Sequence, residues 1–117
     1  MTTTQNEQYL PVVHGKDART STPEPGLVRA IGASSKGLLL AEHRMQKGWA
    51  GARHKHPHEQ IVYVVSGHLL VSVDQAAFEV KAGDSFTVPG DIEHQASALE
   101  DSWVIDVFTP CRDEYLK

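Results

Sequence analysis

The chain has 117 residues, 40% of them hydrophobic, with 11 Lys and Arg against 15 Asp and Glu and a net charge of −4. That length makes one domain with a single modest core, and the acidic balance argues against nucleic-acid phosphates as partners. No apolar run approaches the roughly 20 residues of a membrane helix, so no membrane partner is expected either.

The N-terminus, MTTTQNEQYLPVV, has neither a basic cap nor an apolar core, so no signal peptide is expected. Residues 1–26 are polar and punctuated by Pro11, Pro23 and Pro25. They read as an arm or irregular lead-in with room for one short strand.

From residue 27 onward β signals recur at short intervals. LVRAIGA (27–33) and GLLLAEHRM (37–45) come first, then IVYVV (61–65), HLLVSV (68–73), FEV (78–80), SFTV (85–88) and SWVIDVF (102–108). Turn chemistry separates them at Ser66-Gly67, Asp74-Gln75, Ala82-Gly83-Asp84 and Pro89-Gly90-Asp91. Short strands without a sustained 3.6-residue period predict an all-β sandwich or barrel over residues 27–117. A barrel is favoured because closure removes exposed edges. The single cysteine, Cys111, excludes an intrachain disulfide. It reads as a small apolar residue, and a reducing, cytoplasmic compartment is the simpler expectation.

The stretch HKHPHEQIVYVVSG places histidines at 54, 56 and 58, directly ahead of an apolar run. On a strand, residues i and i+2 face the same way about 7 Å apart, so His54 and His56 project side by side. Gln60 continues that face and Glu59 leaves it, unless Pro57 introduces a bulge that exchanges the two. His94 offers a third imidazole just after PGDIE. Three neutral nitrogens and one oxygen suit a divalent first-row metal. The alternative at this point is a solvated loop with His94 on the surface.

In SWVIDVF, Val104, Asp106 and Phe108 share one face. An aspartate between apolar neighbours must be paired, hydrated or functional, because a buried, isolated carboxylate is costly. One reading pairs it with an arginine such as Arg44 or Arg112. The other puts it inside the barrel, near a metal, as a general acid/base.

Two spaced motifs resemble those of the cupins. The first is His54-Lys-His56, three residues, Gln60, six residues, Gly67; its upstream glycine is displaced, with Gly48 and Gly51 flanking the expected position. The second is Gly83-DSFTV-Pro89-GDIE-His94, with Asp91 and Ala98 where the family carries glycine and asparagine. The resemblance spans residues 37–110. It implies a small double-sheet β-barrel of jelly-roll type, a homodimer, and one divalent transition metal (Mn, Fe, Ni or Zn) held by His54, His56, Gln60 and His94. His58 would then lie at the rim, and His14, His43 and His68 would hold no metal. Residues 1–26 would be positioned to donate a strand to a partner's sheet.

The tail DVFTPCRDEYL narrows the resemblance to pectin-degradation cupins of the KdgF type, which linearise 4,5-unsaturated monouronates. Their Asp-x-Phe-Thr-Pro-x-Arg stretch matches Asp106, Phe108, Thr109, Pro110 and Arg112. The likeness implies proton transfer at Asp106, with Phe108 and Arg112 at a small anionic substrate. Trp49, Arg53 and the DQAA turn at 74–77 depart from that group and would reshape the pocket. An amide at position 60 leaves the ion its full charge, which favours Lewis-acid chemistry over oxygen activation. A metal-dependent oxygenase acting on another small acid, and a non-catalytic binding barrel, are the other two readings.

Overall fold

The structure, a computed structural model, describes residues 8–117. The part of the expected arm that covers residues 1–7 lies outside the described residues. Among the described residues nine antiparallel strands form two sheets: β1 (Arg19–Glu24), β2 (Leu27–Ser35), β3 (Leu38–Met45), β4 (Glu59–Ser66), β5 (His68–Val73), β6 (Ala76–Lys81), β7 (Ser85–Val88), β8 (His94–Ala98) and β9 (Ser102–Thr109). The larger sheet runs β1-β2-β3-β9-β4-β7 and the smaller β6-β5-β8. This is an all-β, jelly-roll-like double sheet. The lead-in stretch supplies β1, which pairs with β2 of the same chain.

The two sheets are not joined by a continuous ladder. The segment 48–54 instead runs along the open edge of β8. Gly48 N–H donates to Ala98 O at 2.9 Å, Ala98 N–H to Trp49 O at 2.8 Å and Gly51 N–H to Ala96 O at 3.0 Å. An edge strand that would otherwise present unpaired groups is thereby covered.

Alternation along the strands divides the interior into layers. On β3 the inward residues are Leu39, Ala41, His43 and Met45; on β9 they are Ser102, Val104, Asp106 and Phe108; on β4 they are Gln60, Val62 and Val64. One apolar cluster contains Met45, Val62 and Val104, and another contains Leu39, Ala41 and Phe108. His43, Gln60 and Asp106 occupy the strand positions between those clusters. Each strand therefore places one polar side chain in the same buried layer. Such groups are tolerated in a core only when hydrogen-bonded or bound to something else.

Candidate metal centre

Backbone pairing brings the first two imidazoles together. His54 N–H donates to His94 O at 3.1 Å, and His94 N–H returns the bond to His54 O at 2.9 Å. Directly opposed residues of an antiparallel pair project their side chains on one face. Their ring centroids lie 4.3 Å apart. His56 joins from the approach to β4, with its ring 4.8 Å from that of His94. Its carbonyl accepts the Asp91 N–H at 2.8 Å, which ties this segment to the Pro-Gly-Asp turn. Asp91 sits there at φ 61°, the left-handed conformation that explains the glycine expected at that position.

His54 and His56 are not two residues of one regular strand. β4 begins only at Glu59, and His54 forms an isolated bridge with His94. The parity argument nevertheless gives the right neighbours: Gln60 is buried and Glu59 exposed.

Each of the three rings uses Nδ1 on a carbonyl two residues away. His54 Nδ1 donates to Ala52 O at 2.9 Å, His56 Nδ1 to His58 O at 3.0 Å and His94 Nδ1 to Ile92 O at 2.9 Å. That fixes the tautomer and leaves each Nε2 with its lone pair. The three rings offer ligand atoms within 4.8 Å of one another. His56 Nε2 is buried with no protein partner, and so is Gln60 Oε1. Two buried acceptors without donors are what a cation would satisfy, so the residues present fit a divalent metal.

Gln60 is oriented from behind. Its Nε2 donates to Asp106 Oδ1 at 3.0 Å. Ionised carboxylate oxygens only accept, so the amide must present its NH2 to Asp106 and leave Oε1 unpaired. The other carboxylate oxygen, Oδ2, lies 2.7 Å from His43 Nδ1, and His43 Nε2 accepts from Arg29 Nε at 3.0 Å. Because the guanidinium can only donate, His43 carries its proton on Nδ1 and gives it to Asp106. A chain Arg29–His43–Asp106–Gln60 thus runs from β2 through β3 and β9 to β4.

Asp106, 5% exposed, is paired with neither arginine proposed from sequence. Arg44 lies with its guanidinium 4.1 Å from the Trp103 ring centre, and Arg112 donates through Nε to Glu114 at 2.9 Å. The reason is register. His43 faces Val104 and Gln60 faces Phe108, so both are diagonal neighbours of Asp106 on the inner face. His43 was expected as a wall residue without metal; its bond to Asp106, and the presence of Arg29 and Tyr115 in the cavity wall, were missed. The available signal was that Arg29 alternates inward with buried Leu27 and Ile31.

A cavity of about 360 Å³ opens beside these groups, lined among others by His54, Gln60, His94, Asp106, Phe108 and Arg112. Phe108 is 1% exposed and stands edge-on to His56, with ring centroids 5.9 Å apart. His58 lies outside the three-imidazole group, its ring 5.6 Å from that of His56. Trp49 lines the cavity and donates to Glu24 of β1 at 2.7 Å. Arg53 instead binds Glu93 at 2.9 Å and the Asp74 carbonyl at 2.7 Å.

Burial, followed by the charge of Arg112, lowers the His56 pKa from 6.5 to about 4, and burial also lowers that of His94. Both rings are neutral at physiological pH, the form in which an imidazole could bind a metal. Burial pushes the Cys111 thiol up to about 11, which keeps it protonated and unreactive.

The fold and the three-imidazole cavity define a cupin, and the chain belongs to that family, whose domain model Cupin_2 matches residues 41–108. Its relatives narrow the comparison. It is 33% identical over 93 residues to the pectin degradation protein KdgF of Dickeya dadantii, a match covering 78% of this chain and 84% of that protein. The structure of KdgF from Halomonas sp. is similar at 35% identity with a TM-score of 0.83, covering 89% of this chain and 98% of that one. An RmlC-like cupin from Shewanella frigidimarina superposes with a TM-score of 0.87 at 30% identity, covering 96% and 99% of the two chains.

Proposed function

We propose that this cupin is a metal-dependent enzyme that opens 4,5-unsaturated monouronates to linear keto sugars. The observation that carries the reading is the buried Asp106 carboxyl group in the wall of the cavity, one hydrogen bond behind the inward-facing Gln60 Oε1. His54, His56, Gln60 and His94 would hold one divalent transition metal. When bound, it would supply Lewis-acid stabilisation of the negative charge that develops as the ring opens. Identity to the two KdgF proteins supports the substrate class.

The chain's own residues have a defined task in this scheme. Asp106 accepts the proton of the anomeric hydroxyl as the bond between C1 and the ring oxygen breaks. It then returns that proton to C4, leaving an aldehyde at C1 and a ketone at C5. His43 and Gln60 hold both of its oxygens, so the carboxylate enters the reaction already oriented. Arg112 binds the substrate carboxylate and Phe108 forms the apolar wall beside it.

The decisive experiment follows loss of the enol-ether absorbance of a 4,5-unsaturated galacturonate monomer, with metal-loaded and chelator-treated protein side by side. Metal-dependent loss faster than the spontaneous reaction supports the reading. No acceleration with metal bound rejects it and makes oxygen consumption the next assay. A homodimer is part of the proposal, because Ile61 and Tyr63 are 47% and 48% exposed on the outer face of the larger sheet. A reducing, cytoplasmic setting would suit the buried Cys111 thiol.

A further inference from the structure

Arg29 and Arg112, from opposite ends of the chain, converge on Tyr115. The guanidinium carbon of Arg29 lies 3.9 Å from the centre of the Tyr115 ring, and that of Arg112 lies 4.4 Å from it. All three residues line the cavity. Arg29 stands on the inward row of β2, where its neighbours Leu27 and Ile31 are buried. An arginine in such a row is desolvated at a cost that a structural role must justify.

Each arginine is fastened by one nitrogen only. Arg29 uses Nε on His43, and Arg112 uses Nε on Glu114. Among the described residues no hydrogen bond uses the terminal amino groups of either. Those groups form the end-on pair of donors that fits a carboxylate bidentately.

We propose that Arg29 and Arg112, organised on Tyr115, form a two-guanidinium cradle for a carboxylate in the cavity, which makes Arg29 a substrate-binding residue. This deepens the reading of a small acid as substrate and rests on it. The ligand class is a compact carboxylate whose acid group meets the arginines while its reacting carbons reach Asp106. Arg29 also donates to His43, so one side chain contacts the substrate and helps hold the Asp106 partner.

The test measures binding of D-galacturonate, uncharged D-galactose and malonate to metal-loaded protein by calorimetry, with metal content determined for each variant. Arg29→Gln is expected to weaken both carboxylates about tenfold or more, to leave any galactose binding unchanged, and to keep the metal. Arg29→Lys, which retains the charge, is expected to recover part of the loss. If malonate binds in an Arg29-dependent way and the 4,5-unsaturated monomer is not turned over, the cradle stands and the uronate reading fails. The cradle is overturned if Arg29→Gln binds both carboxylates as tightly as wild type. It is also overturned if that variant loses galactose in equal measure, or if the wild type binds neither acid.

Discussion

Asp106 is held from both sides, by His43 Nδ1 at 2.7 Å and by Gln60 Nε2 at 3.0 Å. Asp106→Asn keeps the shape and removes the charge and the ability to take up a proton. Turnover of an unsaturated uronate is expected to fall by about 10²-fold or more, the usual contribution of a general acid/base. Metal affinity should drop by about 10-fold, because the single acceptor oxygen of an amide cannot serve both His43 and Gln60 and so no longer orients Gln60 as firmly. Turnover measured beside a metal titration checks both, and unaltered turnover would remove the proton-transfer role.

His43→Leu leaves one Asp106 oxygen and the Arg29 Nε without their partner. Each is a buried or half-buried charged group, so the expected loss is about 1–3 kcal/mol of stability. Urea denaturation with and without metal measures it. The KM for substrate should rise as well, because Arg29 is released.

Gln60→Glu exchanges a donor for a second carboxylate facing Asp106. Two like charges in one buried layer cannot both ionise freely, so one pKa rises above its unfolded value. Stability gained from the proton they share is present at low pH and is lost as pH rises through that folded pKa. The metal-free variant should therefore be less stable than wild type at pH 7 and recover towards pH 5. Saturating metal should narrow the difference, which melting curves at the two pH values will show.

The metal-free wild type should have the opposite slope in mild acid. His56 binds its proton only near pH 4 when folded but near 6.5 when unfolded, and His94 is shifted in the same direction. The unfolded chain thus takes up more protons between those values. The stability these rings contribute is complete above about pH 6.5 and declines as pH falls towards 4. Chelator-treated protein titrated with urea across that range should show the decline.

Gly90→Ala tests the frame rather than the ligands. A Cβ at Gly90 would collide with the Pro57 carbonyl oxygen, and backbone there cannot yield cheaply. The expected cost is about 1–3 kcal/mol, with weaker metal binding because His56 is displaced. A matched substitution at Gly37, where a Cβ meets nothing within 4 Å, is the control.

The strands and the grouping of His54, His56 and His94 were legible in the sequence because alternation has period two and the histidine spacings are local. Gln60 and Glu59 separate into buried and exposed by parity alone. The environment of Asp106 was not legible. It depends on β9 lying between β3 and β4, a long-range pairing that no local pattern encodes. An inward histidine on β3 and an inward arginine on β2 were visible as exceptions in apolar rows, yet only the register says which carboxylate they meet. Tyr115 lies in a short 3-10 turn, Asp113–Leu116, beyond the last strand, where periodicity offers nothing.

The seam between the two sheets would give a bound metal a mechanical role. His94 belongs to the smaller sheet, whereas Gln60 belongs to the larger and His56 leads into it. An ion shared by these side chains is a removable cross-link that closes the long chain segment between His56 and His94 into a ring. Its loss would restore freedom to that segment as well as emptying the three-imidazole site. Apparent stability would then rise logarithmically with free ion above its dissociation constant. Where metal is scarce, such a protein would lose its clasp and its chemistry together.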